Sequence, residues 1–400
     1  MEFPGVSWFE NNPKKSFLIF FLAVFLLAEC VLQAVYFFIE KKNEIYKPIP
    51  LRSSRLTYTE YIPNISFVRF LPSDHHPPVF SHVNAMGIRV GKRAERLNSK
   101  KNYRVLNVGD SFVQSEQIPF EQTFGELLNH HFGYDIEFVS HGIRRWAPTV
   151  EFAWVYHVGV HLDPDEVNLF LCINDFPRKR HYHFTDQTYR ETAIYNGSVP
   201  VGFEMQEGVE VNDRDRTFKS KIINNIRIVS LLYHGTYQPL KKWLGKKLRK
   251  DENSDLSGFG NEAILLSQPV TQWPKDLKEN VDETMEVVKN LHAFLVKRGI
   301  RLNVLMVAVG FGWKDEAGPG KEAYGWNKDA TLSQEGIEKY LQEFLKQANI
   351  PFIDIRSAFE KYKRLNPHKA LFFPLDGHWN EEGHSVVFDV LRKHYEQERK

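Results

Sequence analysis

Tyr103-Arg104-Val105-Leu106-Asn107-Val108-Gly109-Asp110-Ser111 is a mostly apolar stretch that runs into a glycine, an acid and a hydroxyl. The apolar run reads as a buried strand, and the Gly-Asp-Ser behind it as the turn that ends it. Hydroxyls at the carboxyl ends of strands in an open parallel sheet face the crevice where ligands bind, so Ser111 is a candidate nucleophile. A serine alcohol needs a base. Near the other end of the chain, Pro374-Leu375-Asp376-Gly377-His378-Trp379-Asn380 places a histidine two residues after an aspartate, the material for a general base and its orienting group.

From residue 103 the periodicity alternates. Strands are expected at 103–108, 136–140, 167–173, 302–309 and 352–355, and amphipathic helices at 123–131, 281–297, 337–347 and 386–395. Each crossover helix must return over the sheet, so the pattern specifies an α/β fold, a three-layer α/β/α domain with a central parallel sheet. The expected organisation is a tail at 1–16, a membrane span at 17–39, a stalk at 40–102 packed on the main domain, and a main domain at 103–395. The stalk, with Phe67-Val68-Arg69-Phe70 its clearest strand, is expected to hold no chemistry.

Residues 178–278 break the alternation and read as a helical insertion capping the crevice, with a helix at 218–244 followed by Lys246, Lys247, Arg249 and Lys250. A basic helix carrying Leu232, Tyr233 and Trp243 suits an anionic membrane surface, but an ordinary solvated helix face is the preferred reading.

At 400 residues, 42% hydrophobic and 26% charged, the chain can bury a large core. A net charge of +2 with mixed signs gives no reason to expect a nucleic-acid partner. Cys30 sits in an apolar segment and Cys172 in an expected core strand, so the two are not a disulfide pair. Residues 17–39 are interrupted only by Glu29, Cys30 and Gln33, and a helix of that length spans roughly 30 Å of hydrocarbon. A single uncleaved anchor is preferred over a cleaved signal peptide or a buried helix, although Glu29 is costly in lipid. Lys14 and Lys15 precede the span while Lys41, Lys42, Lys47, Arg52 and Arg55 follow it; that count favours a cytoplasmic domain, but long domains translocate regardless of such charges. Both topologies stay open, with the extracytoplasmic one preferred.

Four blocks stand in order along the expected strand ends: Gly109-Asp110-Ser111, Ser140-His141-Gly142, Asn174-Asp175-Phe176 and Asp376-Gly377-His378. Their order and contents resemble the SGNH hydrolases, also called the GDSL esterase/lipase family, over roughly residues 103–395. The run from Gly109-Asp110-Ser111-Phe112 through Gln117-Ile118-Pro119 to Thr123-Phe124 is similar to the first block of bacterial membrane-anchored members. The resemblance implies a flavodoxin-like fold with Ser111 as nucleophile, His378 as base and Asp376 holding its tautomer. It implies an oxyanion hole of the Ser111 N–H, the Gly142 N–H and the Asn174 side-chain amide. No cofactor is expected.

Three positions depart from the family pattern. The aspartate commonly lies three residues before the histidine and here lies two before it; this Asp-x-His, followed by Trp379, is similar to alginate O-acetyltransferases. Ser140 stands where the second block usually has Asn, and Cys172 where the third usually has Gly. Other polar residues have plainer explanations. Asn380 with Glu381 and Glu382 reads as a helix cap, and His141, Trp379 and His384 read as packing or surface residues. The pairs His75-His76, His130-His131 and His181-x-His183 lack accompanying ligands at metal-binding spacing, so no metal is expected.

Three functions are consistent with this reading. The first is a membrane-anchored serine esterase that forms an acyl-enzyme on Ser111, its substrate an ester or an acylated carbohydrate or lipid. The second passes the acyl group to a hydroxyl of a cell-envelope or exopolysaccharide sugar. The third, least favoured, is a non-catalytic envelope binding module.

Overall fold

The computed structural model describes residues 11–42, 51–71, 76–91, 103–133, 135–176, 181–184, 187–190, 192–204, 261–323, 329 and 331–398. The chain divides into two units, Met1–Tyr46 with Asn212–Ser254, and Lys47–Val211 with Asp255–Lys400. The described part of the first unit is a 30-residue helix, α1, Pro13–Lys42. Its Pro13–Ala34 portion, of mean hydropathy 2.4, is long and apolar enough to cross a membrane. Within it, Glu29 accepts a hydrogen bond of 2.7 Å from Gln33 Nε2 one turn away.

The second unit opens with β1 Leu51–Ser54, β2 Tyr58–Tyr61, β3 Ile65–Leu71, β4 His76–Val83 and β5 Arg89–Val90. The first two form an antiparallel hairpin and the other three an antiparallel sheet. The main sheet is built from β6 Tyr103–Gly109, β7 Ile136–Gly142, β8 Glu166–Leu171, β13 Arg301–Met306 and β14 Phe352–Ile353. Between β8 and β13 lie β9 His181–Phe184, β10 Gln187–Arg190, β11 Thr192–Asn196 and β12 Val199–Glu204. The helices of this unit are α2 Ser111–Gln114, α3 Phe124–His131, α4 Pro148–His157, α5 Asn261–Leu266, α6 Lys275–Val296, α7 Gly318–Ala323, α8 Glu335–Gln347, α9 Arg356–Leu365 and α10 Glu381–Glu398.

The five main strands run parallel in the order β14-β13-β8-β6-β7, the doubly wound arrangement expected. Strand β8 is buried along its whole length, as a strand covered on both faces must be. Helix α3 packs with α10, and α4 packs with α6 through Phe152 against Phe294. Chain order reverses between β6 and β8, so the crevice at the carboxyl ends of these strands is the topological switch point.

A polar row crosses this otherwise apolar sheet. Ser140, Asn107, Asn168 and Asn303 are register partners on β7, β6, β8 and β13. Asn107 Nδ2 donates to Ser140 Oγ at 3.1 Å, Asn168 Nδ2 to Asn107 Oδ1 at 2.9 Å, and Asn303 Nδ2 to Asn168 Oδ1 at 3.1 Å. At its outer end the fully buried Glu166 accepts from Asn303 Nδ2, Tyr395 Oη, Tyr103 Oη and Arg301. A one-residue slip of any strand would turn its polar side chain to the opposite face and leave the others buried without partners, so the row fixes register. The serine at position 140 therefore keeps the contact, and the side chain meeting it is Asn107.

Some expectations need correction. Residues 51–71 and 76–91 form a β module that shares one core with the main sheet through Tyr61, Phe67, Val83 and Ile88, with strands beyond the single one expected at 67–70. The insertion opens on two antiparallel hairpins, β9–β10 and β11–β12, not on helix, and α6 begins inside its expected range. The expected helix at 218–244, its basic run and the cap assigned to it lie outside the described residues. Helices α4 and α9 were not anticipated: α4 buries Val150, Phe152, Trp154 and Val155 on more than one face and shows no amphipathic stripe, and α9 buries only Phe359.

Replacing Asn168 by Ala strands Asn107 Oδ1 in the sheet interior and removes one of the two acceptors of Asn303 Nδ2. The variant is expected to lose about 2 to 4 kcal/mol of unfolding free energy in urea titration, against under 1 kcal/mol for an exposed Asn→Ala control.

Candidate active site

Strand β6 ends at Gly109, and Asp110 then acts as N-cap of the four-residue helix α2, its Oδ1 accepting from the Phe112 N–H at 3.0 Å. This turn puts Ser111 at the first helical position, partly exposed at the mouth of the switch point. Gly142 ends β7 in register with Gly109. A Cβ there would lie 2.4 Å from the Asp110 carbonyl oxygen and 2.6 Å from that of Gly109, so the approach of the two strand ends permits only glycine. Asn174 belongs to the short turn Ile173–Asp175 that leaves β8, partly exposed between two buried neighbours. The turn is braced by Asp175 Oδ2, which accepts from the Cys172 N–H at 2.7 Å.

The histidine arrives on the turn that precedes α10. Phe372 and Trp379 form a β-bridge, the Phe373 N–H donates to the His378 carbonyl at 2.8 Å, and Gly377 takes φ +73, a conformation glycine adopts without strain. Trp379, fully buried, donates from Nε1 to the Ala308 carbonyl at 2.7 Å. The Phe112 ring lies 4.4 Å from the His378 ring and 5.0 Å from that of Trp379, so the nucleophile helix and the histidine turn share one aromatic stack. Asn380 caps α10, its Oδ1 accepting from the Gly383 N–H at 3.1 Å.

These turns bring together residues 267 positions apart. His378 Nε2 lies 2.7 Å from Ser111 Oγ, and His378 Nδ1 lies 2.9 Å from Asp376 Oδ1. The second contact couples the imidazole to the carboxylate through one of its two oxygens. Gln117 Nε2 donates to the other carboxylate oxygen, Oδ2, at 2.9 Å. Burial pushes the Asp376 carboxyl upward, but the His378 imidazole, Gln117 and the more distant Arg69 outweigh it and hold its pKa down to about 2. Burial pulls the His378 imidazole down, while Asp376 and then Asp110 oppose it, and the net pKa lies above the ordinary 6.5. Gly142 ends β7 and Asn174 lies in the turn after β8, the strands on either side of β6, whose end carries Ser111.

The other histidines nearby are packing residues, as expected. His141 is buried, stacked 4.5 Å from Trp154 and edge-on to Trp146, and burial lowers its pKa to about 3. His384 stacks on Phe124, and burial, then the charges of Arg89 and His378, lower it to about 3. Sequence reasoning missed Gln117, Arg89 and Tyr61. Gln117 reaches a partner 259 positions away, and no local pattern announces such a contact.

Residues 263–400 match the family model described as "SGNH hydrolase-like domain, acetyltransferase AlgX". The resemblance read from the four blocks thus extends to a family model over the segment carrying Asp376 and His378. Among solved structures, the chain is similar to an acetyl xylan esterase, AlAXEase, at 14% identity, covering 72% of this chain and 98% of that one with a TM-score of 0.37. It is also similar to a member of the lipolytic G-D-S-L family from Veillonella parvula, at 10% identity over 73% and 97% with a TM-score of 0.35. A catalytic mutant of Axe2, an acetylxylan esterase from Geobacillus stearothermophilus, gives 10% identity over 74% and 95% with a TM-score of 0.36. No curated protein matches the chain.

The two buried neutral histidines make stability depend on pH. Their folded pKa values, about 3, lie below the unfolded value near 6.5, so their contribution is complete above pH 6.5 and is lost as pH falls toward 3. Between pH 6 and 4 the unfolding free energy is expected to fall by on the order of 1 kcal/mol per pH unit for each histidine. A His141→Phe variant should show a shallower slope in denaturant titrations across that range, and an unchanged slope would show that His141 carries none of it.

Proposed function

We propose that this chain is an acyl-transferring serine enzyme acting on ester bonds. The observation that carries the reading is the line Ser111 Oγ, His378 Nε2, His378 Nδ1 and Asp376 Oδ1, with contacts of 2.7 Å and 2.9 Å. In the proposed reaction Ser111 Oγ attacks the carbonyl carbon of an ester as His378 Nε2 takes its proton. The oxyanion is met by the Ser111 and Gly142 N–H groups and the Asn174 amide. Collapse breaks the acyl–oxygen bond, and the leaving alkoxide takes the proton from His378. An acyl-enzyme remains on Ser111. A second hydroxyl then gives its proton to His378 and attacks the acyl carbon, and collapse breaks the acyl–Oγ bond as His378 returns the proton to Ser111 Oγ. Asp376 keeps Nδ1 protonated throughout and stabilises the imidazolium.

The second hydroxyl belongs to water in an esterase and to a sugar in a transferase. The family match over residues 263–400 and the Asp-x-His-Trp spacing favour transfer of an acetyl group to a carbohydrate; the plain solvent access of Ser111 is compatible with hydrolysis. We place the chemistry outside the cytoplasm, the chain tethered by α1, whose apolar Pro13–Ala34 portion is long enough to span a membrane.

An active-site-directed fluorophosphonate is expected to label the wild type and not Ser111→Ala, and His378→Ala is expected to lose a thousandfold or more in kcat on a short-chain chromogenic ester. Equal labelling of wild type and Ser111→Ala would remove Ser111 as nucleophile. With an activated acetyl donor and an oligosaccharide, acetylated sugar in excess of free acetate identifies transfer, and acetate alone identifies hydrolysis. Because His378 must be neutral to accept the proton and its pKa is raised, the acid limb of kcat/KM is expected above pH 6.5 and should move lower in Asp376→Asn.

A further inference from the structure

The turn that carries Ser111 does not end with α2. Ser115 takes φ +51 and stops the helix, leaving several backbone carbonyls without helical partners. One buried guanidinium collects them. Arg89, from β5, donates through Nη1 to the carbonyls of Gln114 at 3.3 Å and Ser115 at 2.5 Å, and through Nη2 to that of Ile118 at 2.7 Å. Its Nε donates to Ser81 Oγ on β4 at 3.0 Å, which ties the guanidinium to the β module.

A second set of contacts holds the same turn from another side. Gln114 Nε2 donates to Tyr61 Oη at 2.8 Å and to Glu116 Oε1 at 2.9 Å, and Tyr61 Oη donates to Glu116 Oε1 at 2.6 Å. Gln114 Oε1 accepts from the Arg144 N–H at 2.9 Å, two residues past Gly142. Held in this way, the turn points Gln117, largely buried, at Asp376 Oδ2.

We infer that Gln117 is a positioning residue for the catalytic acid, and that the β module of residues 51–91 holds it in place through Arg89. The inference rests on the proposed roles of Ser111, His378 and Asp376. Its physical basis is the short Asp-x-His spacing. That spacing brings Asp376 Oδ1 to 2.9 Å from Nδ1, and a contact to one oxygen alone does not fix the rotation of the carboxylate about its χ2. A donor fixed on the opposite oxygen removes that freedom. Other charged groups facing the pair, Asp110 toward His378 and Arg69 toward Asp376, act through space and set no orientation.

The test uses the full chain with Gln117→Met, which keeps length and volume and removes the donor. Expected for Gln117→Met are a tenfold or larger fall in kcat on a short-chain ester, KM within twofold of wild type, and an acid limb of kcat/KM displaced to lower pH. The pKa of His378, followed by NMR of labelled histidine and identified by its loss in His378→Gln, should move down with that limb. A glutamine that only packs the turn would change the thermal midpoint or the active fraction and leave the limb and the His378 pKa in place; that result overturns the inference. Ser111→Ala and His378→Ala separate the two levels. If either keeps wild-type turnover, the triad reading fails and this inference fails with it. If both are inactive while Gln117→Met matches wild type, only the inference falls.

Discussion

The proposed reaction depends on the 2.7 Å contact between Ser111 Oγ and His378 Nε2, two atoms contributed by opposite ends of the main domain. Catalytic contacts of this kind tolerate misplacement of only about 0.5 Å, so the two segments must be located against a common frame. The frame is the central sheet. On the serine side, the row Ser140, Asn107, Asn168 and Asn303 locks β6 in register with β7 and β8, and the Asp110 cap starts the turn at a fixed residue. On the histidine side, Trp379 is anchored through its Nε1 to the Ala308 carbonyl just past β13. Phe112 packs against both His378 and Trp379, so the two sides also meet through apolar surface.

The electrostatics follow from which groups burial is allowed to neutralise. His141 and His384 have no carboxylate within reach, and burial removes their charge. His378 is less deeply enclosed, and Asp376 reverses the direction of the shift that burial alone would give it. Three histidines near one crevice thus differ in the direction of their shifts, with Asp376 and then Asp110 raising only that of His378. That difference explains why no second base competes for the serine proton in the proposed reaction.

Much of this was legible in the chain. The apolar run before Gly109, the alternation of strand and helix, and the four blocks located the sheet, the switch point and Ser111, Gly142, Asn174, Asp376 and His378, because these signals are local or ordered along the sequence. Helix α4 was not legible, since Phe152, Trp154 and Val155 bury more than one face and erase the 3.6-residue period. Strand β14 shrinks to Phe352–Ile353 because it pairs only with β13 at the edge. The contact of the β module with the Ser111 turn was not legible, because it is made by one arginine whose three acceptors are backbone carbonyls, groups every residue owns and no sequence pattern marks.

The shortened Asp-x-His spacing connects these points. Asp376 lies two residues before His378 and meets Nδ1 through one carboxylate oxygen only, so a second constraint on the carboxylate has to come from elsewhere in the fold. Here it comes from the turn that also carries the nucleophile. Ser111 and Gln117 stand six residues apart on one clamped segment, so any shift of that segment moves the serine and the acid's second partner together. Placing both on one rigid turn makes the line from Asp376 to Ser111 a closed loop of contacts, through His378 in one direction and through Gln117 and the backbone of α2 in the other. A closed loop resists distortion at each of its links, which an open chain of three side chains from distant segments does not.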